Sequence, residues 1–119
     1  MRQDPFSNPM DRPPWDHEFA ANLLGATVLI GLTTCDHTGK VIARHQMHGV
    51  VTSASLEEGI SFDLRGTDDG ETYRLPPDTS AFVPAQPGKY RLKGSGDVVV
   101  DPDFTAVWTI HRPAPKPSV

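Results

Sequence analysis

Glycine and proline punctuate this chain so often that only one amphipathic helix pattern survives. Ten glycines and twelve prolines stand among 119 residues, and both residue types favour turns over helix interiors. After Gly25, the glycines at Gly39, Gly59, Gly66, Gly70, Gly88, Gly94 and Gly96 divide the sequence into short segments. Those segments read as strands: ATVLIGLTT (26–34), VIARHQMHGVVTSA (41–54), ISFDLR (60–65), ETYRL (71–75), KYRLK (89–93), VVV (98–100) and FTAVWTI (104–110). Several alternate strictly, as a half-buried strand requires. Ile60, Phe62 and Leu64 oppose Ser61, Asp63 and Arg65, and Tyr90 and Leu92 oppose Lys89, Arg91 and Lys93. Gly49, inside the longest run, predicts a bulge or a sharp bend.

The helix pattern lies in DRPPWDHEFAANLLG. Trp15, Phe19 and Leu23 repeat every four residues and form one apolar stripe. Asp11 is placed to cap, Pro13 and Pro14 suit a first turn, and Gly25 suits the stop. The fold expected is mainly β: a small antiparallel barrel of five to seven strands with one N-terminal helix over an open end. Residues 1–12 read as a flexible arm, 13–111 as the single domain and 112–119, RPAPKPSV, as a proline-rich extended tail.

The order helix, LLGATVLIGLT, turn, HGVVTSA, turn, GISFDL resembles the Sm-like family of small bent-sheet barrels over roughly residues 15–75. That resemblance implies a barrel fold, and in the family it accompanies ring assembly and RNA binding. The family's RNA site uses an Asp and an Asn after the second strand and a later Arg-Gly pair. The corresponding loop here is Ser55-Leu56-Glu57-Glu58-Gly59, which lacks the Asn and carries two carboxylates that repel phosphate. Arg65-Gly66 follows the third strand instead.

Composition narrows the function classes. The formal net charge is −4 and neither half of the chain is a basic block, so nucleic acid and anionic membrane are disfavoured as partners. An acidic chain of this kind is suited to neutralising a basic partner, by analogy with immunity proteins. The single cysteine, Cys35, excludes an internal disulfide and fits a reducing compartment. The first residues carry no apolar signal core, so a cytoplasmic protein is expected.

No catalytic constellation stands out, and no cofactor is expected. His45 and His48 lie three apart on one strand run and therefore face opposite ways; with His37 they are the candidates for a metal site. Cys35 sits beside Asp36, whose charge opposes thiolate formation. Asp68, Asp69 and Glu71 read as a solvated hairpin tip, and Asp101 and Asp103, around Pro102, as turn residues that accept backbone bonds.

The segment LPPDTSAFVPAQPG (75–88) holds four prolines in fourteen residues. Proline restricts the unfolded chain, and Leu75, Phe82 and Val83 supply anchors, so the segment is expected to be an ordered cover. The leading functional expectation is a non-enzymatic module that binds a protein partner through Phe82, Pro84, Tyr90 and Arg91. The alternatives are an Sm-like RNA-binding ring module and a metal protein or enzyme using His37, His45 and His48.

Overall fold

The computed structural model describes residues 15–114. A short helix, α1 (His17–Leu23), leads into eight strands: β1 (Thr27–Cys35), β2 (Val41–Ser55), β3 (Gly59–Leu64), β4 (Thr72–Leu75), β5 (Phe82–Pro84), β6 (Lys89–Arg91), β7 (Val98–Val100) and β8 (Phe104–His111). Single 3-10 turns sit at Gly66–Asp68 and Thr79–Ala81. The helix begins later than its sequence pattern suggests. Asp16, not Asp11, is the cap, and its side chain accepts from the Phe19 amide. Asp11, Pro13 and Pro14 lie outside the described residues, as do the expected arm 1–12 and all but three residues of the expected tail.

Six strands form one sheet in the order β4-β3-β2-β1-β8-β5, and β6 and β7 form a separate two-stranded ribbon. This corrects the closed antiparallel barrel expected from sequence in two respects. The edge strands β4 and β5 are not paired with each other, and β8 runs parallel to β1. The parallel pair follows from where β8 is anchored. The Thr27 amide donates to Asp103 Oδ2 at 2.9 Å and the Asp103 amide to the Thr27 carbonyl at 2.9 Å. The start of β8 is thereby pinned beside the start of β1, and the strands proceed in the same direction.

The sheet nevertheless curls. Phe62 on β3 and Phe82 on β5 are four strand positions apart, which in a flat sheet is about 19 Å at the usual inter-strand spacing. Their rings stack at 6.2 Å. The concave face thus encloses Val28, Ile30, Met47, Val51, Ile60, Phe62, Leu64, Leu75, Phe82 and Ala106 as one cluster. Helix α1 closes it: Leu23 is fully buried in that cluster, Trp15 and Phe19 pack against it, and Phe19 meets Phe104 edge to face at 5.4 Å. The expected Trp15, Phe19 and Leu23 stripe is the packed face.

The long strand β2 carries its irregularities at Thr52, where the register against β3 shifts between Val51 and Ser53, and at Ile42, which the register against β1 skips, not at Gly49. Gly49 is required for another reason. A side chain there would place its Cβ 2.5 Å from the Asp63 carbonyl oxygen on β3, so glycine lets the two backbones approach.

The 75–88 segment is ordered, and it supplies the strand that the sequence pattern missed. Asp78 Oδ1 accepts from the Ser80 amide at 2.9 Å, and Thr79 Oγ1 accepts from the Asp16 amide at 2.8 Å, joining the segment to the helix start. Residues Phe82–Pro84 then pair with β8.

Candidate functional site

The β6–β7 ribbon pairs with no strand of the curled sheet and presents aliphatic and cationic side chains together on its open face. Its connection is tight: the Leu92 amide donates to the Asp97 carbonyl at 2.8 Å and the Gly96 amide to the Leu92 carbonyl at 3.0 Å. Gly94 and Gly96 hold φ of +91° and +76°, a left-handed conformation that favours glycine. Tyr90 pairs with Val99, Lys89 with Val100 and Arg91 with Val98.

Strand alternation gives the ribbon two unlike faces. Leu92 and Val99 are buried, so their face is turned inward. On the other face Lys89 and Arg91 are exposed, and Val98 and Val100 remain 47% and 58% accessible. Lys93, at the start of the turn between the two strands, is exposed as well. The result is a row of cations alongside a row of aliphatic side chains. Among the described residues neither Lys89, Arg91 nor Lys93 makes an ion pair. The two acidic residues of the ribbon's ends accept hydrogen bonds from other groups: Asp101 Oδ1 from the Gly88 amide at 2.7 Å across the open end, and Asp97 from Thr67.

Two attachments fix the ribbon to the body. The Lys93 amide donates to Gln46 Oε1 on β2 at 2.7 Å. Asp97 accepts from the Thr67 amide at 2.8 Å and from the Thr67 hydroxyl at 2.9 Å. These Thr67 bonds, with a smaller contribution from nearby His48, hold the Asp97 carboxyl below its ordinary pKa. His48 Nε2 is buried and lies 3.7 Å from Asp97 Oδ2. Gly66 makes room between them: a Cβ there would collide with Asp97 Oδ2 and sit 2.7 Å from His48 Nε2. The Arg65 amide donates to the His48 carbonyl, so Arg65-Gly66 helps to build this junction.

Of the residues expected to contact a partner, the structure brings together Tyr90 and Arg91 on the ribbon and leaves Pro84 exposed on β5. Phe82 is buried in the core at 5% exposure, so its ring is not on the surface. Tyr90 is half-buried, and its hydroxyl donates to the Gln86 carbonyl at 2.6 Å. Of the expected basic row, Lys89 and Arg91 lie exposed on β6 with Tyr90 on the opposite face, and Lys93 lies exposed in the turn after it. Val98, Val100 and the junction at Gln46, Gly66, Thr67 and Asp97 were not singled out from sequence. The GSGD turn was the available signal, because a tight connection there sets VVV opposite KYR.

The remaining candidates are dispersed. His37 is exposed in the turn after β1, held by Asp36, whose Oδ1 accepts from the Thr38 hydroxyl and from the Thr38 and Lys40 amides. Those bonds, the Thr38 hydroxyl foremost, lower the Asp36 pKa. His45 pairs with Leu32 and His48 with Leu29, placing the two imidazoles on opposite faces of β2. Among the described residues no three His, Cys, Asp or Glu side chains are grouped to hold a metal. Cys35 is buried, as a small apolar residue at a strand end. Asp103 is spent on Thr27, and Asp68 offers its backbone carbonyl to Glu71. Among the described residues no helix is long and apolar enough to cross a membrane.

Comparisons with protein-family models, with curated proteins and with solved structures found no match.

Proposed function

We propose that this protein is a non-enzymatic binding module whose partner is another protein, and that the solvent face of the β6–β7 ribbon is its contact surface. One observation carries the reading: Val98 and Val100 are about half exposed on a ribbon whose other face is buried. Aliphatic side chains left open beside charged groups form a small apolar centre with a polar rim, the arrangement of a protein contact. The ribbon is also held to the body at its turn end by Gln46 and Thr67, and its two strands are tied together at the open end by Asp101 and Gly88. A rigid face loses little entropy on binding.

The test is co-purification of the tagged full chain from nuclease-treated native lysate, compared with the double variant Val98→Ser, Val100→Ser. A stoichiometric protein captured by the wild type and lost by the variant, with Arg74→Ser on β4 retaining it, supports this surface. Capture by all three chains alike removes the ribbon from the function.

A further inference from the structure

Resting on the reading just given, we infer that the ribbon recognises an acidic protein surface: a row of carboxylates at alternate positions of an extended segment, flanked by aliphatic side chains. The whole chain carries a net charge of −4, which by itself favours a basic partner. The local surface points the other way. Exposed charges are screened within about 8–10 Å at physiological ionic strength, so a docked segment responds to the nearest groups before the total. The nearest groups are Lys89 and Arg91, exposed on one face of β6, and Lys93, exposed in the turn that follows. Among the described residues none of them is ion-paired, and the neighbouring carboxylates of Asp97 and Asp101 are engaged by Thr67 and Gly88.

Spacing adds specificity. Alternate residues of a strand repeat every ~7 Å, so Lys89 and Arg91 on β6 share the period of any other extended polypeptide, and Lys93 adds a third cation from the turn that follows. Val100 and Val98 stand directly across the register from Lys89 and Arg91, so the partner must place an apolar side chain beside each carboxylate. This distinguishes a protein from a nucleic acid. Single strands are held by aromatic rings on which bases stack, and this face presents none. Tyr90 lies on the opposite face, with its hydroxyl committed to Gln86. A long polyanion reaching past three cations also meets an otherwise acidic protein, whereas a short row of carboxylates does not.

The experiment uses the full chain and three labelled twelve-residue peptides, alternating Glu-Val, Ser-Val and Lys-Val, with a single-stranded DNA of equal charge, read by fluorescence anisotropy at two salt concentrations. The Glu-Val peptide is expected to bind about tenfold more tightly than Ser-Val and to weaken with salt, as three exposed charge contacts imply. The triple variant Lys89→Glu, Arg91→Glu, Lys93→Glu is expected to lose Glu-Val binding and to gain Lys-Val binding. That reciprocal exchange is one a merely damaged fold does not produce. Equal binding of Glu-Val and Ser-Val, or tighter binding of the DNA through the same residues, overturns the inference. The two levels separate cleanly. If the valine variants abolish capture of the cellular partner but the charge-reversed chain still captures it, the ribbon is the contact surface and the acidic partner is wrong. If neither set affects capture, the ribbon reading itself falls.

Discussion

His48 Nε2 and Asp97 Oδ2 face each other at 3.7 Å across the gap left by Gly66, and the imidazole nitrogen is buried without a hydrogen-bond partner among the described residues. This junction joins three pieces distant in sequence: β2, the 3-10 turn after β3, and the loop between β6 and β7. It decides whether the ribbon sits on the sheet.

Gly66→Ala is therefore expected to be costly. Gly66 holds φ of +70°, and Gly39, with φ of +92° and nothing within 4 Å of an added Cβ, is the control. A left-handed alanine costs ~1–2 kcal/mol at either site. At Gly66 the collision with Asp97 and the approach to His48 raise the loss to about 3 kcal/mol. Urea denaturation of both variants checks this, and equal losses would show that the junction is loose.

The Asp97 carboxyl gives the junction a dependence on pH. Its folded pKa is lowered from 3.8, chiefly by the Thr67 amide and hydroxyl. A depressed carboxyl stabilises the fold fully above its unfolded value and loses that contribution as pH falls through the lower folded value. The stability advantage of wild type over Asp97→Asn is thus expected to be constant at neutral pH and to shrink only below 3.8. Asp36 titrates in the same sense, so the difference between the two chains, followed by thermal denaturation in acid, isolates Asp97. An advantage unchanged in strong acid would contradict the assignment.

Phe82 supports the curl of the sheet. Its ring is buried and stacked on Phe62, so Phe82→Ala is expected to cost about 3–5 kcal/mol and Phe82→Leu less than about 1.5 kcal/mol. A chemical denaturation midpoint for Phe82→Ala close to wild type would place the ring outside the core.

Val98→Ser and Val100→Ser are expected to change stability by no more than about 0.5 kcal/mol, since both side chains already face solvent. Partner capture is expected to fall sharply all the same. A stability loss as large as that of Phe82→Ala would mean that these valines belong to the fold rather than to a contact.

Much of the candidate surface was readable before folding, because it depends on neighbours in sequence. The alternation of Lys89, Tyr90, Arg91, Leu92 and Lys93 separates charge from apolar side chains in any strand. For Phe82 the sequence supports both an anchor of the cover and a contact, because a phenylalanine between prolines looks alike whether it covers a core or faces a partner; the structure places it in the core. Its burial is settled by β3, twenty residues earlier in the chain. The role of Gly49 was hidden for a similar reason. A glycine inside a strand marks a bulge or a close approach, and only the position of the Asp63 carbonyl distinguishes them.

By itself the sequence determined the kind of pieces: one amphipathic helix, short strands cut by glycine and proline, an ordered proline-stiffened cover and, at KYRLK, a strand that parts charge from apolar side chains. These follow from local backbone preference and side-chain period, which act over a few residues. Only the tertiary structure decided how the pieces meet. Asp103 bonding Thr27 set the start of β8 beside the start of β1, parallel to it, and Asp97 bonding Thr67 tied the ribbon to the turn after β3. Such contacts join residues 76 and 30 positions apart, and no local pattern specifies which carboxylate finds which amide. That choice is made when closure of the sheet brings two distant stretches of backbone within reach of each other.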